Sequence, residues 1–177
     1  MRKEIRIAGF GGQGIVLAGR ILGEAAINAG NKAVQTQSYG PESRGGAARS
    51  EVVISDKTID YPRVIEADLL VALSQPGYDK YHDDNIKKKS LVIVDTDLVE
   101  TQDKKAIKIP FTKIADSLGK KIVANIVMLG YLTAVLDAFP KKTMKETIKS
   151  NIPKGTEKIN MKAFEEGYKL GKKARKG

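Results

Sequence analysis

At 177 residues, 41% of them hydrophobic and 29% charged, the chain is long enough for one domain with a real core, and no apolar run reaches the ~20 residues that a membrane-spanning helix needs. The absence of cysteine excludes disulfides, cysteine nucleophiles and thiolate-held iron–sulfur clusters, and fits a cytoplasmic protein. The formal net charge of +10 is unevenly spread: residues 1–100 hold 13 Lys+Arg against 14 Asp+Glu, whereas residues 101–177 hold 18 against 7.

Met1-Arg2-Lys3-Glu4 is followed by too few apolar residues for a signal peptide before glycines intervene. Ile5-Arg6-Ile7-Ala8 alternates and precedes a glycine turn, as a first strand does. Apolar residues at 15, 18, 22, 25, 26 and 29 then fall on one helical stripe that Gly30 ends. Strands are expected over Lys32–Gln37 and Arg49–Ser55, the second with one face solvated or covered by a partner. Residues 37–61 are expected to depart, antiparallel, from the rest of the sheet. Asp68–Leu73 is a continuous apolar run, and so a buried parallel strand ending at Ser74-Gln75-Pro76-Gly77, a third candidate site loop. A helix is expected through the Tyr78–Lys88 region. Leu91–Asp95 follows as a second buried strand, ending in an acid, and Ala106–Ile109 as a short edge strand stopped by Pro110. Phe111–Leu118 and Val123–Phe139 are expected helices, the second apolar nearly all round and therefore buried. Thr143–Ser150 and Asn160–Lys176 complete the set, the last ending in lysines that suit a helix C-terminus. Alternating strands and helices predict a single α/β domain over residues 1–177. It should be a three-layer α/β/α fold with a mostly parallel (mixed) sheet and a Rossmann-like first βα turn.

Chemistry concentrates in two glycine-rich stretches. Gly9-Phe10-Gly11-Gly12-Gln13-Gly14 has the Gly-x-Gly-x-x-Gly spacing between a strand and a helix, where backbone N–H groups and the helix N-terminus favour an anion. A dinucleotide site also needs an acid at the end of the second strand, and Gln35-Thr36-Gln37 stands there instead. No Lys-Ser/Thr follows, so the loop is not a Walker P-loop. A plain packing turn and a contact with a phosphate, a cofactor tail or a partner subunit both stay open. In the second stretch, Gln37 to Gly46, Arg44 can fork onto a carboxylate or phosphate, or pair internally with Glu42. No serine there has a histidine to activate it. The single histidine, His82, sits in a polar Tyr81-His82-Asp83-Asp84 stretch and reads as a surface residue. Lys172-Lys173-Ala174-Arg175-Lys176 suits a solvated face, contact with an acidic partner, or nucleic acid, the last weakened by the lack of interleaved aromatics.

Gly9-Phe10-Gly11-Gly12-Gln13-Gly14-Ile15 and Gln37-Ser38-Tyr39-Gly40-Pro41-Glu42-Ser43-Arg44-Gly45-Gly46 resemble the gamma subunit of 2-oxoacid:ferredoxin oxidoreductases. The likeness continues through Ser50–Ser55, Ile59-Asp60-Tyr61-Pro62, Ser74-Gln75, Ala124-Asn125 and Asn160–Tyr168, and so covers nearly the whole chain. The Gln-Ser-Tyr-Gly-Pro-Glu form looks most like the 2-oxoglutarate type. The resemblance implies oxidative decarboxylation of a 2-oxoacid to its acyl-CoA with electrons passed to ferredoxin. It places thiamine diphosphate and the iron–sulfur clusters on partner subunits: alpha, beta and a ferredoxin-like delta. This chain would then assemble the complex and contact coenzyme A, and would be inactive alone. Its candidate contacts are Gly11, Gly12, Gln13, Gly14, Ser38, Tyr39, Arg44, Gly45, Gly46, Ser74 and Gln75, with no catalytic residue and no metal ligand. Whether the isolated chain pairs with a second copy stays open. A stand-alone NAD(P)-binding module and a nucleic-acid binder are the competing readings.

Overall fold

The computed structural model describes residues 1–38, 47–83 and 86–175. Six strands form one sheet: β1 (Arg2–Gly9), β2 (Lys32–Ser38), β3 (Ala48–Ser55), β4 (Ala67–Ala72), β5 (Ile86–Asp95) and β6 (Ile107–Ile109). Their order is β2-β3-β1-β4-β5-β6, with β3 antiparallel to both neighbours and every other pair parallel. The expected mixed sheet is therefore present, and the antiparallel departure is strand β3.

The helices are α1 (Ile15–Asn28), α2 (Gln75–Tyr81), α3 (Phe111–Ser117), α4 (Ala124–Leu136), α5 (Lys141–Asn151) and α6 (Glu157–Ala174), with a 3-10 turn at Lys121–Val123 before α4. The layers on the two faces of the sheet are unequal. Ile5, Ile7, Val52, Ile54, Val71 and Ile93 point into the main core with α1, α3, α4, α5 and α6. Ala8, Leu70, Ala72, Val92 and Val94 point the other way, where α2 covers them with Tyr78 and Tyr81. Helix α4 is buried over nearly its whole length, as its all-round apolar sequence requires.

Two expectations are corrected. The helix expected through Tyr78–Lys88 begins earlier, because Ser74 caps its start: the Ser74 Oγ accepts from the Gly77 N–H at 3.2 Å; the helix stops at Tyr81. The lysine run Lys87-Lys88-Lys89 is instead the outer part of β5, where Lys87 pairs with Asp68. The second correction concerns β3, whose Glu51 is 5% exposed and covered within the chain rather than solvated. Arg6, on the adjacent strand, meets Glu51 at 2.8 Å and lies 5.3 Å from the Tyr81 ring, so α2 closes over an ion pair.

Candidate functional site

Strands β1, β2, β4 and β5 run in one direction and end at Gly9, Ser38, Ala72 and Asp95, so their following loops share one rim of the sheet. Ligands of open α/β sheets bind at such a rim. Gly11, Gly12, Gln13, Gly14, Ser38, Ser74 and Gln75 are all brought to it. Tyr39, Arg44, Gly45 and Gly46 lie outside the described residues.

The first glycine loop is held from two sides. The Gln13 side chain accepts from the Phe10 N–H at 2.6 Å and donates to the Leu73 carbonyl at 2.8 Å, tying the loop to the end of β4. Gly14 takes the N-cap position of α1 with φ 71°, a left-handed conformation that disfavours a Cβ. A Cβ there would also lie 2.3 Å from Asn125 Nδ2, which donates to the Gly14 carbonyl at 3.3 Å. Asn125 thus clamps the loop onto the start of α4. Among the described residues no side chain caps α1, and no acid sits in its first turn, so its leading N–H groups and the positive end of its dipole suit an anion. They border a cavity of about 300 Å³ whose walls include Phe10, Gly12, Leu17 and Ser38.

Gly12 is shared with a second cavity of about 300 Å³, lined by Gln13, Leu73, Leu98, Thr112, Lys121 and Ile122. This hollow is mainly apolar, with Lys121 on its wall. Behind it lies Asp95, fully buried at the end of β5. Its carboxylate accepts from the Thr112 N–H at 2.9 Å, the Thr112 hydroxyl at 2.7 Å and the Asp97 N–H at 3.0 Å. Burial pushes the Asp95 carboxyl above the ordinary carboxylate range, against the Thr112 hydrogen bonds, which pull it down. Asp95 so fixes the start of α3 against the rim.

Ser74 and Gln75 are engaged within the chain. Ser74 is fully buried as the cap of α2. Gln75 accepts from the Glu100 N–H at 2.7 Å and donates to Asp79 at 2.7 Å, holding the loop after β5 to α2. His82 is partly exposed, tilted by 38° against the Tyr78 ring with centroids 4.6 Å apart, its ring nitrogens 2.9 Å from Asp83 and 3.2 Å from Asp103. The Lys105 N–H and then His82 hold the Asp103 carboxyl below its ordinary value. The sequence reading had not assigned Asn125, Asp95 or Lys121 to the site. An acid ending a buried strand and the Ala124-Asn125 pair are visible signals, but the contacts of Asp95 with Thr112 and of Asn125 with Gly14 span 17 and 111 residues of sequence. Among the described residues, no group of three His, Asp or Glu side chains is placed to hold a metal ion.

The family model described as pyruvate ferredoxin/flavodoxin oxidoreductase matches residues 4–170. The chain is 58% identical over 179 residues to 2-oxoglutarate synthase subunit KorC of Methanocaldococcus jannaschii, covering 97% of this chain and 95% of that one. The keto/oxoacid ferredoxin oxidoreductase gamma subunit from Geobacter sulfurreducens is 40% identical and superposes with a TM-score of 0.86 over 97% of each chain. The 2-oxoglutarate:ferredoxin oxidoreductase from Magnetococcus marinus, with 2-oxoglutarate, coenzyme A and succinyl-CoA bound, shares the fold at 24% identity and a TM-score of 0.86, covering 97% of this chain and 31% of that one. With a glycine-loop rim on the same fold and a match along nearly its entire length, the chain belongs to the pyruvate ferredoxin/flavodoxin oxidoreductase family, among the gamma subunits of 2-oxoacid:ferredoxin oxidoreductases.

Proposed function

We propose that the chain is the gamma subunit of a 2-oxoglutarate:ferredoxin oxidoreductase and that its glycine-loop rim contacts coenzyme A. The observation that carries the substrate is the near-full-length likeness to a subunit named for 2-oxoglutarate synthase. Thiamine diphosphate and the iron–sulfur clusters belong to the alpha, beta and ferredoxin-like delta subunits on this reading. The chain's own composition agrees, since it offers no thiolate to hold a cluster. Ferredoxin is the electron acceptor of the assembled complex, and the cytoplasm is its compartment.

The coenzyme A contact rests on the chemistry of the rim. Phosphates suit the uncapped N-terminus of α1 and the Gly11–Gly14 backbone. The adjoining apolar hollow, with Leu73, Leu98 and Ile122 on its walls and Lys121 at its edge, suits a flexible arm ending in a phosphate. Arg44 is the further guanidinium candidate. A Val16→Glu substitution tests this. It adds an acid to the first turn of α1, which favours the helix itself by about 0.3–1 kcal/mol while opposing a phosphate. In the assembled complex the Michaelis constant for coenzyme A should rise about tenfold or more, an order expected for a lost charge-assisted contact, with that for 2-oxoglutarate unchanged. An unchanged constant for coenzyme A would remove the α1 N-terminus from the role. The NAD(P) reading predicts NADH binding by the purified chain, and the subunit reading predicts none.

A further inference from the structure

Of the lysine excess of residues 101–177, Lys121 reaches the hollow beside the glycine loop, and it and others surround a further apolar groove. The 3-10 turn before α4 holds Ile122 60% exposed. Ile122 stands between the rim hollow and a further one of about 250 Å³, floored by Leu17, Val123, Ile126, Ile152 and Ile159. Lys120 lines that groove and Lys121 precedes Ile122. Lys154 and Lys158 are exposed in the connection to α6 and in its first turn, next to lining residues Pro153 and Ile159. Lys121 is 3.9 Å from Asp116, but both are largely exposed, so the pair neutralises little.

We propose that this Ile122-centred groove is a docking surface for another subunit of the same complex, one that presents apolar side chains flanked by carboxylates. The inference rests on the subunit reading above. An exposed apolar anchor over an apolar floor, with charge at the edge, has the core-and-rim layout of a protein interface. Lys120, Lys121, Lys154 and Lys158 outnumber the acids Asp116 and Glu157 around the groove, an excess of positive charge that selects an acidic partner. A second copy of this chain would bring lysines against lysines, and a nucleic acid would leave the isoleucine floor unmatched. Because Ile122 also walls the rim hollow, docking here would complete that hollow from outside the chain.

The test measures association of the chain with the remaining subunits of its complex, produced together and purified without it. Ile122→Asp is compared with Ile27→Asp, an equally exposed isoleucine (55%) at the far end of α1. Both sites are exposed, so both variants should unfold within about 3 °C of wild type. Ile122→Asp should bind at least about tenfold more weakly, as loss of a central anchor does, and Ile27→Asp as wild type does. The Lys120→Glu/Lys121→Glu variant should bind weakly at ~50 mM salt and approach wild type by ~500 mM, where screening is strong. If wild type associates and Ile122→Asp associates equally well, the inference falls and the subunit reading stands. Equal weakening of both isoleucine variants also overturns it. An unaffected lysine variant overturns the acidic partner. If wild type does not associate at all, the subunit reading and this inference fall together.

Discussion

At the scale of single residues, the rim is held by side chains that bond inside the chain rather than outward. Gln13 closes the glycine loop with two hydrogen bonds, to the Phe10 N–H and the Leu73 carbonyl. Gln13→Ala should lower stability by about 1–2 kcal/mol, read by denaturant unfolding; no loss would mean that these bonds do not hold the loop. Asp95 gives a pH dependence. Its carboxyl is more basic in the fold than its ordinary value of 3.8, so the folded state binds the proton more tightly. That contribution is complete below the unfolded value and is lost as pH rises through the folded one. Thermal unfolding of wild type and Asp95→Asn between pH 4 and pH 7 should therefore show the wild type losing ground to the variant as pH rises, and the opposite trend would contradict the burial account. Among the described residues the buried Tyr131 hydroxyl meets no hydrogen-bond partner, and burial raises its ionisation point. Tyr131→Phe should be neutral or stabilising by up to about 1 kcal/mol. At this scale the spacing disclosed that Gly11, Gly12, Gln13 and Gly14 form one loop between β1 and α1. It could not disclose that Gln13 is engaged internally or that Asn125 clamps Gly14, since both bonds join segments that meet only in the folded chain.

At the scale of elements, α4 and α6 pack with backbone close to backbone, and glycine permits it. A Cβ on Gly167 would lie 1.8 Å from the Val127 carbonyl oxygen. Gly167→Ala should cost about 1–3 kcal/mol or more through overpacking, exceeding the ~1 kcal/mol gain in helix propensity. Gly23, in the middle of α1, is the contrast. Its nearest neighbours would be Val52 Cγ1 at 3.7 Å and Ala33 Cβ at 3.8 Å, ordinary contacts. Gly23→Ala should therefore stabilise by up to about 1 kcal/mol, and urea midpoints of the two variants should move in opposite directions. The buried C-terminus of α4 is met by cations: Arg175 donates to the Ala134 carbonyl at 3.2 Å and Lys3 to that of Leu136. One residue of the basic tail thus has a structural duty. Helix α4 and the buried strands were legible because long apolar runs allow few alternatives. The stretch of residues 86–89 was not, because lysine is compatible with helix propensity and the pairing of β5 beside β4 overrides it.

At the scale of the whole molecule, among the described residues one face of the sheet carries five helices and the other only α2. The fold class follows from the order of strands and helices, but this imbalance does not, because it depends on where the C-terminal helices dock. The charge is unbalanced as well. The neutral half supplies the glycine-loop rim, and the basic half supplies the groove around Ile122, so the two surfaces that point to partners have different chemistry. Both agree with a chain that completes a site whose reacting groups lie on other subunits. The most direct test is reduction of ferredoxin by the reconstituted complex, dependent on 2-oxoglutarate and coenzyme A, with and without this chain. The account predicts activity when the chain is present and its loss when the chain is omitted. Equal activity in its absence, or no activity with 2-oxoglutarate while another 2-oxoacid supports it, would contradict the account.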